Sequence, residues 1–100
     1  MALLDLLGRR WALRVLWELR GEGAATFREL QMRCGDVSSS VLNERVRELR
    51  DAGIVAGRTT DGESRAASGY RLTAEGHELL RALGPLDEWA AGWARSMGGV

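Results

Sequence analysis

Between positions 38 and 53 the hydrophobic and polar residues alternate with the period of an α-helix. Leu42, Val46 and Leu49 recur at steps of four and three, with Val41 at their edge, and so share one face. Ser38 stands ahead of the run as an N-cap, its hydroxyl placed to accept from a backbone N–H that the first turn leaves unsatisfied. Gly53 follows as the stop, because a residue without Cβ takes the left-handed conformation of a helix C-terminus most easily. The opposite stripe reads Ser39, Ser40, Asn43, Arg47 and Arg50. The pattern therefore predicts a helix over 38–52, buried on one side and carrying hydroxyls, an amide and guanidinium groups on the other.

The remaining elements follow from the same reading. Residues 2–20 predict a first helix, apolar around much of its circumference at Leu3, Leu6, Leu7, Trp11, Leu13, Leu16 and Leu19, with Gly8 a weak point at which a short lead-in can separate from the helix proper. Ala24 and Ala25 fit a short edge strand. Thr26-Phe27-Arg28-Glu29 has the spacing of a capping box and opens a second helix to about Arg33. Gly35-Asp36-Val37 is a tight connection into the 38–52 helix, and two helices so joined make a helix-turn-helix. Beyond Gly53, Ile54 to about Thr60 and Gly69–Leu72 predict the two strands of a β-hairpin, or wing, around a polar tip at 61–68. Arg58, Arg65 and Arg71 are its cations. Thr73 caps a last helix from Ala74 to about Met97, expected to kink or split near Gly84-Pro85.

Past that proline, Leu86, Ala90, Trp93 and Met97 form a further apolar stripe, flanked by Trp89. The earlier helices and the hairpin already make a core, so this stripe needs another surface. A second copy of the chain is the expected cover, with Leu3, Leu7, Trp11, Leu86, Trp89, Ala90, Trp93 and Met97 at a two-fold interface and residues 73–97 as the dimerisation helix.

Composition narrows the classes. One hundred residues, 45% apolar and 28% charged, suit a single domain over 1–100. No apolar run approaches the roughly 20 residues of a membrane span, the N-terminus lacks the layout of a secretory signal, and a single cysteine fits a reducing cytoplasm. Formal net charge is zero, yet residues 1–73 hold twelve Arg against ten acids and residues 74–100 two against four. Every basic side chain is Arg. With one His and one Cys there is no ligand set for a metal; the serines at 38–40 have no base to activate them, and no glycine-rich phosphate loop is present. No cofactor and no catalytic residue are expected, which leaves a binding protein rather than an enzyme.

The order of elements resembles the winged helix-turn-helix regulators of the HxlR type over nearly the whole chain. Leu7-Gly8-Arg9-Arg10-Trp11 is similar to that family's entry into its first long helix, and Thr26-Phe27-Arg28-Glu29-Leu30 to its second helix. Val37-Ser38 with Leu42, Arg45, Val46, Leu49 and Gly53-Ile54-Val55 is similar to its recognition helix and following strand. Tyr70-Arg71-Leu72-Thr73 with Gly76 resembles its junction from wing to last helix. The resemblance implies a mainly α fold with a small β-hairpin, a DNA-binding transcriptional regulator, and a terminal helix used for dimerisation. Family members commonly carry a cysteine shortly before the first long helix, in some a sensor of oxidants or electrophiles. Residues 1–10 have none, and Cys34 lies elsewhere.

The resulting expectation is a homodimeric, sequence-specific binder of double-stranded DNA, with repression as the default outcome. The 38–52 helix would enter the major groove, with Ser39, Ser40 and Asn43 near base edges, the capping Ser38 at the same DNA-binding end, and Arg47 and Arg50 on phosphates. The wing, 58–71, would place Arg58 and Arg65 on the backbone or in the minor groove. Two alternatives stand beside it. One is a winged-helix module that binds protein. The other is a regulator that also responds to a small molecule, in a pocket bounded by Trp11, Trp17, Trp89 and Trp93 at the dimer interface.

Overall fold

The computed structural model describes residues 2–21, 23–57 and 69–98. Its elements are α1 (Ala2–Leu7), α2 (Ala12–Glu18), α3 (Phe27–Cys34), α4 (Ser39–Asp51), β1 (Val55–Ala56), β2 (Arg71–Leu72) and α5 (Ala74–Ser96). The apolar face of α4 is the centre of the core. Leu42, Val46 and Leu49 are buried against Val15 and Leu16 of α2, Leu30 and Cys34 of α3, and Ile54, Val55 and Leu72 of the hairpin. Burying such a side chain contributes about 1.5–3 kcal/mol, so this layer is the main source of stability.

The helix ends form as the residues dictate. Thr26 Oγ1 accepts from the Glu29 N–H at 3.1 Å while the Glu29 carboxylate accepts from the Thr26 N–H at 2.8 Å, a complete capping box. Ser38 Oγ accepts from the Val41 N–H at 3.2 Å. At the other end of α4, Gly53 has φ 78°, its N–H bonds to the Arg50 carbonyl, and the Ile54 N–H bonds to the Leu49 carbonyl. This is a Schellman motif, closed by contact of Ile54 with the same core that holds Leu49.

The first helical stretch divides at its weak point. α1 is the lead-in and α2 the helix proper, separated by Gly8–Trp11, and Trp11, which the sequence pattern places within the helix, is left-handed at φ 77°. Gly8 is the expected weak point, but a tryptophan in this conformation is costly, by about 1–2 kcal/mol, and needs external support. α4 supplies it. Arg45 Nε donates to the Arg10 carbonyl at 2.9 Å, Arg45 pairs with Glu48 at 2.7 Å, and Glu48 reaches Arg9 at 3.6 Å.

The strands pair antiparallel, Val55 with Leu72 and Ala56 with Arg71. Ala25 bridges to Tyr70, so the expected edge strand is a single paired residue. Residues 58–68, and with them the expected wing tip, lie outside the described residues. α5 runs as one helix through Pro85, so the chain does not split there. Its start is locked onto the end of α4. Thr73 Oγ1 accepts from the Gly76 N–H at 3.0 Å and donates to the Gly53 carbonyl at 2.6 Å, and the Thr73 N–H bonds to the Ile54 carbonyl. Gly76 is buried there, and a Cβ would run into the Ile54 carbonyl oxygen and the Leu72 side chain.

Candidate nucleic-acid interface

Three surrounding elements hold α4 by its apolar face, which leaves its polar stripe outward. Ser39, Ser40, Asn43 and Arg47 are exposed and Arg50 is half-buried. Arg47 forms no ion pair within 4.0 Å with Glu44 or Asp51, the two acids placed at helical spacing to neutralise it. Glu48, by contrast, is fully engaged with Arg45 and Arg9, on the flank that supports the α1–α2 turn. The stripe is thus two parts with separate duties: a structural flank and a solvent-facing row.

Ser38 is exposed, but its oxygen already serves the Val41 N–H, so capping is its first role. Ser39 and Ser40 occupy the first two helical positions, where backbone N–H groups and the helix dipole together favour an anion or an acceptor atom. Gln31 of α3, which the sequence pattern did not single out, donates from Nε2 to Ser39 Oγ at 3.1 Å and to the Val37 carbonyl at 3.3 Å. Only the fold brings it to the start of α4. Arg58 and Arg65 lie outside the described residues.

Several other arginines are bound within the protein. Arg14 donates to the Arg33 carbonyl and pairs with Glu18, while Arg33 donates to the Glu18 carbonyl, so each satisfies the open end of the other's helix. Arg20 lies over the Trp17 ring at 4.0 Å and bonds to its carbonyl. Cys34, beneath this group, is 4% exposed; burial pushes its thiol up, Glu18 adds to the rise, and Arg14 opposes it.

The expected interface residues divide as well. Leu3, Leu86, Trp89, Trp93 and Met97 are exposed and Ala90 is half-buried, whereas Leu7 and Trp11 are half-buried against the chain's own core. Leu4, Leu13 and Trp17 are further exposed apolar side chains. Trp89 and Trp93 stack on each other, centroids 6.1 Å apart. A groove of about 400 Å³ between α2 and α5 is lined by Leu13, Trp17, Leu80, Leu83, Gly84, Leu86, Asp87 and Ala90. Of the four tryptophans expected around a pocket at the dimer interface, this groove of the single chain contains Trp17, and Trp11 carries Arg10 over its ring. No helix among the described residues is long and apolar enough to cross a membrane.

Known proteins are similar to this chain in both sequence and architecture. The uncharacterised HTH-type transcriptional regulator YvaP of Bacillus subtilis strain 168 is 33% identical over 89 residues, covering 89% of this chain and 81% of that protein. The crystal structure of quinone-bound YodB from B. subtilis superposes with a TM-score of 0.77 at 26% identity, covering 91% of this chain and 92% of YodB. A transcriptional regulator assigned to the MarR family, from Enterococcus faecalis V583, gives 0.79 at 29% identity over 97% of this chain and 86% of its own. A family description for HxlR-like helix-turn-helix proteins matches residues 6–97. With its capped α3–α4 pair, paired strands and long terminal helix, this chain belongs to the HxlR-like helix-turn-helix family of winged-helix transcriptional regulators.

Proposed function

We propose that the protein acts as a homodimeric, sequence-specific DNA-binding repressor, with α4 in the major groove. The observation that carries this reading is the outward row Ser39, Ser40, Asn43, Arg47 on a helix whose other face is clamped in the core. The short polar side chains at the helix start are suited to base edges, and Arg47 and Arg50 to phosphates. Ser38 sits at the same end as the cap. Arg58 and Arg65 of the wing would extend the contact to the backbone or minor groove. Two copies related by a two-fold axis would set their α4 helices about 34 Å apart, one turn of DNA. The exposed apolar row of α5, with Leu3 and Leu4 of α1, supports the pairing. Occupying a site that overlaps a promoter would block transcription.

The test is a gel-shift titration with DNA upstream of the protein's own gene, competed with random DNA, for wild type and Arg47→Ala. A phosphate contact at Arg47 predicts weaker binding and a salt slope reduced by about one counterion. An unchanged slope removes Arg47 from the interface, and indifference to sequence favours a protein-binding role for the wing and terminal helix.

The groove between α2 and α5 favours a second, compatible reading, in which a small apolar effector modulates the dimer. YodB has been crystallised with a quinone. In this chain a thiol route has little support, since residues 1–10 lack cysteine and Cys34 is buried with a raised thiol pKa.

A further inference from the structure

Gln31 stands behind the first turn of α4, half-buried, with its amide nitrogen 3.3 Å from the Val37 carbonyl oxygen and 3.1 Å from Ser39 Oγ. A carbonyl oxygen can only accept, and a primary amide nitrogen can only donate. The Val37 carbonyl therefore decides which end of the Gln31 side chain faces the turn. Were the amide rotated by half a turn, two oxygens would confront each other. Both N–H bonds of Gln31 are then engaged, one by Val37 and one by Ser39. Ser39 must accept from Gln31, which occupies one lone pair and polarises its own O–H outward, since hydrogen bonds in a chain strengthen one another.

We infer that Gln31 sets the hydrogen-bonding polarity of Ser39 and is a specificity-determining residue that itself touches no base. The claim rests on the reading of α4 as the major-groove helix. Ser39 then presents a donor to the groove. Guanine N7 and O6, adenine N7 and thymine O4 are acceptors that satisfy it, whereas cytosine offers an amino group there. At the base opposite Ser39, acceptor edges are favoured over the cytosine amino group, which only the one remaining lone pair of Ser39 could receive.

Full-length wild type, Ser39→Ala, Gln31→Met and Gln31→Glu are each used to select bound sequences from a library of random-sequence duplexes. Wild type is expected to enrich a motif with at least one position from which cytosine is depleted, and Ser39→Ala to lose that depletion alone. Gln31→Met leaves a freely rotating hydroxyl, and the depletion relaxes about three- to tenfold, the value of one neutral hydrogen bond. Gln31→Glu puts a carboxylate oxygen, which cannot donate, against the Val37 carbonyl; the two repel, the contact with Ser39 is lost, and the depletion relaxes as in Gln31→Met. A general loosening of the turn would weaken every position of the motif, whereas loss of the Gln31 contact relaxes one position alone, which separates polarity from packing. Ser39→Ala keeps the Gln31–Val37 bond, so it tests the claim independently of any effect on folding. A defined wild-type motif left unchanged by Gln31→Met and Gln31→Glu overturns the role of Gln31 and leaves DNA reading intact. A wild-type selection that enriches no motif overturns base reading by α4, and this inference with it.

Discussion

At the scale of single residues, two positions carry more than their chemistry advertises. Gly76 is the point where the first turn of α5 meets the Ile54 carbonyl, so any Cβ there must push the terminal helix off the end of α4. Gly76→Ala should cost about 3 kcal/mol, at the upper end of overpacking penalties, read as a lower urea midpoint with little change in slope. Glu29 is the other. The backbone N–H of Thr26, and then its hydroxyl, hold the Glu29 carboxyl below the usual carboxylate range. Because the folded value is lowered, its contribution to stability is complete above the ordinary carboxylate pKa and is lost as pH falls through the lowered one. Thermal melts from pH 7 down to pH 3 should show wild type losing its advantage over Glu29→Gln as the box protonates. A constant difference across that range would contradict the ionised capping box.

At the scale of elements, the question is what keeps α1 and α2 apart. Gly8 weakens the helix locally, but the left-handed Trp11 is a conformation that an L side chain avoids on its own. The break persists because α4 grips it through Arg45, bonded to the Arg10 carbonyl, and through Glu48, shared between Arg45 and Arg9. Their side chains are only 13% and 20% exposed, so this is no ordinary surface pair. Arg45→Ala should destabilise the protein by about 1–3 kcal/mol. Hydrogen exchange should quicken at the amides of residues 9–12 more than at those of the buried face of α4. Equal protection in variant and wild type would mean that packing of Trp11 alone holds the turn. The same contact gives α1 a mechanical link to the helix proposed to enter DNA.

At the scale of the whole molecule, the outstanding feature is an apolar surface left uncovered by the described residues. Leu86, Trp89, Trp93 and Met97 are each more than half exposed, and Leu4 of α1 is 63% exposed. Isolated exposed leucines are ordinary, but two stacked tryptophans within a helical stripe are a surface built to be covered. Sedimentation should find the wild type at twice the 11.0 kDa chain mass, and Trp89→Glu with Trp93→Glu should return it to the monomer. A melting temperature that rises with wild-type concentration, but not with that of the double variant, would mark the same linkage. A wild type that sediments as a monomer at high concentration would remove the two-fold arrangement of the α4 helices.

Read from the sequence alone, the 38–52 helix, the capping box at Thr26 and Glu29, the stop at Gly53 and the order of elements were all legible. Each depends on residues within four or five positions of one another, where periodicity and capping act. The family was legible for the same reason, as a succession of local patterns. Contacts between distant segments were not. Nothing in the local pattern says that Arg45 will reach back to Arg10, that Arg14 and Arg33 will close each other's helices, or that Gln31 will orient Ser39. Nor could it say that Trp11 takes a left-handed conformation under the Arg10 guanidinium. A string of fourteen arginines shows the charge available, and packing alone divides it between the chain's own carbonyls and the outside. The sequence by itself determined which surface of α4 faces outward; tertiary structure decided which of its polar groups are already engaged, because those bonds join segments that only the folded core brings together.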